Sequence, residues 1–548
     1  MIEKIFNKNM MYLVTIKNDI SKLILKFKLD PLKIFLILIF TILYLPHCFI
    51  SNEDIGLMIA YKTDAGTICE AIIGLLDNYD FHDHMHSRYY GWTYYFINFI
   101  ALKPIKIFLD LFNYKNNTQI LIFSIKLLFF SIGLMSLIFF NEVLAKIFHD
   151  KKLYIFIGSL FYAIGGLNSI FYNIRVESTA LLFTFISILC LLKFLKNPDQ
   201  YKLYIYGLIA LILSSLTKQI FFFTSIPILM IFLVTIFYQQ KVSLKSFVTS
   251  RVFFDVTKHT ILTAFAILII INPFLIFDFN SFLSYQIELL QHHSEKSALG
   301  TYSTSELFNQ WLVILGSLPL TFFYFTSVFF TYLVTIYLVS KRKTAENMIF
   351  LTMIISIYLV FTLIFLGNKL YVLFLYLAPI YPFCIIYILV LIRFFSTTGR
   401  ESIKKYIFRF SIYSLLLIFC LASLIRYLSI TPNQSFNKLI YHKDTIAHQS
   451  YNYISENFDK NDKIIFGPYV GLPSDLRKNS CSYWFDRDCL TKIPNPDYIM
   501  IIEDFATNGK KFIELEKTIS YIKNSNMKLH HEIFDENECK ISIYKANK

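Results

Sequence analysis

Asp54, Asp64, Glu70, His82, Asp83, His84, His86 and Arg88 fall within one interval of a chain otherwise dominated by Ile, Leu, Phe and Tyr. Polar groups of this kind are costly beside lipid, so their concentration marks a place where chemistry is expected. Asp64 precedes an amphipathic stretch in which Ile68, Ala71, Ile72, Leu75 and Leu76 share one helical face. That helix is expected to lie flat on a membrane surface. At such a boundary the Asp64 carboxylate can take a proton from an incoming hydroxyl; the alternative is that it caps the helix, a task the Thr67/Glu70 capping-box pattern can also perform. The alternating imidazoles of His82-Asp-His-Met-His86 could meet a divalent cation, with His84 and His86 as ligands and Asp54 or Asp64 completing the site. Solvated loop histidines are the other reading. Arg88, followed by Tyr90 and Trp92, suits a phosphorylated, lipid-linked sugar, since Arg pairs with phosphate and aromatic rings lie against sugar faces. Interfacial anchoring is the competing role for those aromatics.

Further along, single cations stand at the ends of apolar segments: Arg175 beside Glu177, Lys218 in Ser-Leu-Thr-Lys, and Lys369 ahead of Tyr371. Arg175 and Glu177 form either a structural clasp or part of a phosphate site. A polar loop at 278–310 carries His292 with Tyr285, Glu288, His293, Glu295 and Lys296, and reads either as a lid over a substrate portal or as a solvated connector.

Elements that position these residues follow from composition. With 55% hydrophobic and 16% charged residues, the 548-residue chain lies outside the range of soluble domains and within that of polytopic membrane proteins. Apolar runs long enough for a ~30 Å hydrocarbon layer fall near 33–50, 119–148, 152–172, 178–196, 203–217, 219–238, 259–277, 311–339, 347–366, 370–395 and 406–428. Eleven spans put the two termini on opposite sides. A cytoplasmic N-terminal segment, residues 1–32, places Lys151/Lys152, Lys193/Lys196/Lys202, Lys241/Lys245/Arg251/Lys258, Lys341/Arg342/Lys343 and Arg393/Arg400/Lys404/Lys405 in inner loops. The formal charge of +14 is thereby explained without a nucleic-acid partner. The membrane domain is expected over 33–428, with outer loops 51–118 and 278–310. No cleavable leader pattern follows Lys33, so the first span is expected to be retained.

From residue 429 the composition turns mixed and polar, with strand-like runs at Lys463–Gly467 and Asp497–Glu503 and a helical stretch near Phe512–Asn524. A small extracytoplasmic α/β domain over 429–548 is expected. Its Cys481 and Cys489 are spaced to close a small loop and can form a disulfide if the tail is extracytoplasmic, leaving Cys539 unpaired.

The arrangement resembles the GT-C class of integral-membrane glycosyltransferases, in particular the polyprenyl-phosphate-sugar-dependent group related to protein O-mannosyltransferases and the lipid A aminoarabinose transferase. The matching features are one span followed by a large first outer loop with Thr63-Asp64 ahead of a juxtamembrane helix, the aromatic segment Tyr89–Tyr95, the turn Arg175-Val-Glu177, Lys218, and Lys369-Leu-Tyr371 leading to Pro379 and Pro382. Asp64-Ala65 stands where the family commonly has Asp-Glu, and Gly91-Trp92 where it commonly has Pro-Pro.

The resemblance implies sugar transfer with inversion from a polyprenyl-phosphate donor to a hydroxyl or phosphate of a glycan, lipid or protein acceptor, at the outer face of a bacterial inner membrane. Asp64 would be the base. Arg88, Arg175, Lys218 and Lys369 would hold the donor phosphate, and Tyr90, Trp92, Glu177, His292 and Tyr371 would line the substrate. A divalent metal is the one cofactor to consider. Two other functions fit a polytopic chain: a transporter or flippase of a lipid-linked saccharide, and a non-catalytic assembly subunit. The first expects mid-membrane charges and internal repeats, which the sequence does not display.

Overall fold

The computed structural model describes residues 30–49, 52, 54–57, 63–78, 92–112, 114, 117–148, 151–164, 171, 174–197, 200–218, 221–222, 224–229, 232, 251–271, 378–379, 381–397, 446–467, 470–483, 488–502, 513–534 and 540–547. These residues form a helical body and a small C-terminal sheet domain. Helix α1 (Pro31–Tyr44) starts where Asp30 accepts a 2.8 Å hydrogen bond from the Lys33 amide and Pro31 supplies a preset φ. It buries Leu36, Phe40 and Tyr44, spaced by four, while Phe35, Leu38 and Ile42 face outward at 51%, 53% and 71% exposure. Such an outward apolar face is favourable against acyl chains and unfavourable in water. A 3-10 turn (Leu45–Phe49) then leads toward the first loop.

Among the described residues, three segments are long and apolar enough to cross a membrane: Pro31–Phe49, α4 (Asn117–Phe148) and α6 (Val176–Lys196). Shorter apolar helices are α5 (Lys152–Ile164) and α7 (Tyr201–Thr217), while α8 spans Arg251–Ile271 and α9 Tyr381–Thr397. Helix α8 begins eight residues before the 259–277 run, so the polar turn at its head is helical as well, and residues 272–277 of that run lie outside the described residues. The 311–339, 347–366 and 406–428 runs, most of 219–238 and the 278–310 loop lie outside the described residues.

Helices α6 and α7 form a hairpin bound by small polar groups: Ser214 Oγ donates to the Ala180 carbonyl at 2.8 Å and lies 2.9 Å from Thr184 Oγ1. Interhelical hydroxyl contacts of this type suit packing in lipid, where apolar burial alone gives helices little reason to associate. The surrounding core is aromatic, with Phe40, Tyr44, Phe140, Tyr162, Phe171 and Phe185 in tilted and edge-on contact. Tyr44 donates to the Ala163 carbonyl at 2.6 Å, which joins α1 to α5.

Two further helices stand in the first loop region, α2 (Thr63–Asn78) and α3 (Trp92–Leu111). The shared apolar face read from the sequence is present: Ile68, Ala71, Ile72, Leu75 and Leu76 are all buried. That face packs on protein, against α3 and the start of α4, instead of resting on a lipid surface.

In the C-terminal domain, α10 (Ile446–Asn457) precedes β1 (Ile464–Phe466), β2 (Ser480–Ser482), a short α11 (Cys489–Lys492), β3 (Tyr498–Ile502), α12 (Ile513–Asn524), β4 (Met527–Phe534) and β5 (Lys540–Ala546). The sheet order is β2-β1-β3-β5-β4; β1 is parallel to β2 and β3, and β5 is antiparallel to β3 and β4. Alternation along the strands separates two cores. Ile464, Phe466, Tyr498, Met500, Ile502, Ile541 and Ile543 pack with α10, while Ile465, Ile499 and Ile501 pack with Leu515 of α12 and the Cys481–Cys489 pair. That pair is a disulfide, with Cα atoms 5.5 Å apart. Cys539 lies outside the described residues.

Candidate functional site

Because α6 and α7 run antiparallel, the amino end of one meets the carboxyl end of the other. Arg175 is the N-cap of α6, Glu177 lies in its first turn, and Lys218 is the C-cap of α7. An acid at a helix start and a base at a helix end both complement the helix dipole. The two side chains meet directly: Lys218 Nζ donates to Glu177 Oε1. Glu177 is fully buried, and the Lys218 side chain is 14% exposed. Arg175 supplies a second positive charge near the same carboxylate. Lys218 is therefore not the solitary cation expected from its position at a helix end, and Glu177 takes its hydrogen bond from Lys218 across the hairpin. The second carboxylate oxygen, Glu177 Oε2, accepts no hydrogen bond from the described residues.

This cluster adjoins the helices of the first loop. Ile174 and Val176, on either side of Arg175, belong to the same apolar core as Ile68, Ile72 and Leu76 of α2, Tyr94 and Tyr95 of α3, and Ile122 and Ile125 of α4. The turn bearing Arg175 and the helix bearing Asp64 are thus parts of one packed unit. Tyr94 and Asn98, one helical turn apart on α3, are both fully buried, and the Tyr94 phenol feels the charge of Glu177. Burial, with Tyr95 beside it, pushes that phenol well above its ordinary value, so it stays a neutral hydroxyl. Neither residue was expected as a site residue. Their one signal was the i, i+4 polar spacing that runs from the end of the aromatic segment into the apolar helix behind it. Cys69 is buried in the same core, and burial pushes its thiol up to about 12.

Asp64 is the second residue of α2, one turn earlier than the sequence pattern placed the helix start. Thr67 and Glu70 consequently lie inside the helix, and the capping-box reading fails because a capping residue must stand outside helical conformation. The side chain of Asp64 lies outside the described residues, as does that of Trp92, the first residue of α3. Arg88, Tyr90, His84, His86, His292, Lys369 and Tyr371 lie wholly outside them.

Asp54 makes protein contacts on both carboxylate oxygens: Oδ1 accepts from the Gly56 amide at 2.6 Å and Oδ2 from Ser474 Oγ at 2.8 Å. Among the described residues no group of three or more His, Cys, Asp or Glu is arranged to hold a metal ion.

A surface groove of roughly 420 Å³ lies at the far end of α2 from Asp64, lined by Leu76, Asp77, Lys103, Lys106, Ile107, Asp110 and Leu111. Lys103 Nζ donates to the Leu76 carbonyl at 2.6 Å, and Lys106 Nζ bridges Asp77 at 3.0 Å and Asp110 at 2.6 Å. None of the expected site residues lines it. No protein-family model matches the chain, and no curated protein matches it either.

Proposed function

We propose that this chain is a membrane glycosyltransferase of GT-C type that moves a sugar from a polyprenyl-phosphate donor to an acceptor hydroxyl or phosphate. The observation carrying this reading is the common core of α2, which bears Asp64, and the turn bearing Arg175, beside the buried Glu177–Lys218 pair. A reaction joining a hydroxyl to a lipid-linked phosphosugar needs a base and an anion-stabilising group within one site, at the depth where a lipid-anchored phosphate stands.

In this reading Asp64 takes the proton of the acceptor hydroxyl as its oxygen attacks the anomeric carbon. The bond from that carbon to the phosphate oxygen breaks, its electron pair stays on the phosphate, and the configuration inverts. Arg175, with Arg88 and Lys369 from the outer loops, stabilises the departing polyprenyl phosphate. Lys218 serves chiefly to neutralise and orient Glu177, whose second oxygen is free to accept a sugar hydroxyl.

The proposal places the site on the outer face of a bacterial inner membrane, with eleven spans and the C-terminal domain extracytoplasmic. In support, Lys193, Lys196 and Lys202 lie at the opposite end of the α6–α7 hairpin from Arg175 and Lys218, as an inner basic loop requires. The disulfide of the C-terminal domain supports an oxidising compartment. The test is transfer of labelled hexose or pentose from polyprenyl-phosphate donors by membranes containing the full chain. Asp64→Asn is expected to lower transfer by about 10²-fold or more at unchanged expression. Full transfer by that variant would refute Asp64 as base, and envelope glycans identical with and without the protein would refute the activity.

A further inference from the structure

The C-terminal domain meets the first loop through the connection between β1 and β2. Within it, Val470, Leu472 and Leu476 are buried and Gly471 donates its amide to Ser450 Oγ of α10 at 2.9 Å, so the segment is held firmly by its own domain. A Cβ on Gly471 would stand 2.0 Å from the Ala447 carbonyl oxygen, which is why no side chain fits there.

From this base three contacts cross more than four hundred residues of sequence. Ser474 donates to Asp54, the Leu472 carbonyl closes on Gly56 so tightly that a Cβ would stand 1.7 Å from it, and Arg477 lies 3.6 Å from Glu70 of α2. Leu57, fully buried, packs against Ala447 and Tyr451 of α10.

We propose that segment 470–477 is a positioning clamp on the helix that carries Asp64, with Arg477, Ser474 and Gly56 as positioning residues. Glu70 lies six residues beyond Asp64, about 9 Å along the helix axis. Arg477 and Glu70 are 23% and 43% exposed, so the pair contributes little to stability. Its consequence is geometric: together with the Asp54 contact it sets where the amino end of α2 stands. The C-terminal domain, through this clamp, governs turnover without touching the reacting atoms.

The role in turnover rests on the reading of Asp64 as base; the clamp itself does not. The test uses the full chain in lipid nanodiscs with two readouts, amide hydrogen exchange over residues 63–70 and transfer from a polyprenyl-phosphate-linked hexose or pentose. Arg477→Glu and Glu70→Arg singly are expected to speed that exchange and lower kcat about two- to fivefold with KM little changed, a range set by the weak coupling of part-exposed pairs. The double variant, restoring opposite charges, is expected to recover both, and Arg477→Lys to retain most of each. Gly56→Ala should loosen 63–70 even with the ion pair intact.

Unchanged exchange in Arg477→Glu and Gly56→Ala would overturn the clamp. Faster exchange with unaltered kcat, or failure of the double variant to recover, would overturn its control of turnover. If Asp64→Asn is fully active, the base assignment falls, and the clamp is judged on exchange and charge-swap recovery alone.

Discussion

Replacing Lys218 by methionine keeps most of the length of the side chain and removes its charge, taking from the buried Glu177 carboxylate the cation that donates to it and leaving Arg175 as the positive charge nearby. Glu177 is fully buried and Lys218 is 14% exposed, so solvent screening replaces little of the lost interaction. At an effective dielectric near 20, opposite charges about 4 Å apart attract by roughly 4 kcal/mol. Breaking a buried pair from one side costs about 3–5 kcal/mol, since the remaining charge keeps its desolvation penalty. With Arg175 still acting on the carboxylate, Lys218→Met is expected at the low end of that range, shifting the unfolding equilibrium by about two orders of magnitude. The companion Glu177→Gln/Lys218→Met, in which neither member of the pair keeps its charge without the other, should recover much of the loss. The assay is reversible denaturant unfolding of the detergent-solubilised full chain, with both single variants and the double variant completing a cycle. A Lys218→Met protein within about 1 kcal/mol of the parent would refute the inference that this pair holds the hairpin ends together.

Three further outcomes follow from buried sulfur. Cys69, buried with its thiol pushed up to about 12, should resist maleimide at pH 8 until the chain is denatured, and labelling at the rate of a free thiol would contradict its packing. The sign of its linkage is destabilising with rising pH: the unfolded thiol ionises from its ordinary value of 9.0 while the folded one stays protonated up to about 12, so stability falls across that window and Cys69→Ala should flatten the fall. In the C-terminal domain the disulfide closes a loop of sequence separation 8, and Cys481→Ser/Cys489→Ser should cost about 2.5 kcal/mol on the chain-entropy relation. Limited proteolysis of the full chain would register the change as faster cleavage around 470–490, and an unchanged rate would count against it.

Much of this architecture was legible in residue order alone. Apolar length marks the three described helices able to cross a membrane, since the cost of an unsatisfied or charged group in hydrocarbon acts on each segment separately. The short strand-like apolar runs in Lys463–Gly467 and Asp497–Glu503 match strands at Ile464–Phe466 and Tyr498–Ile502, which are buried throughout, and the apolar face of α2 is buried residue for residue. The exact start of α2 was not legible: Thr67 and Glu70 carry a local capping pattern, and helix continuation to Thr63 overrides it.

Pairing across distance escaped the sequence for a different reason. Arg175, Glu177 and Lys218 are visible as unusual polar residues at span ends, but which cation faces the carboxylate depends on how α6 lies against α7. Tyr94 and Asn98 were not singled out in the sequence, and only the packing of α3 against the cluster removes them from solvent. Asp54, a candidate metal ligand in the sequence, accepts hydrogen bonds on both oxygens, one of them from Ser474 in a domain four hundred residues away. Sequence by itself determined what each segment can tolerate around it, because hydropathy, periodicity and local charge act over a few neighbours. Tertiary structure alone decided partners, because ion pairs and hydrogen bonds act over a few ångströms and only packing brings distant segments that close.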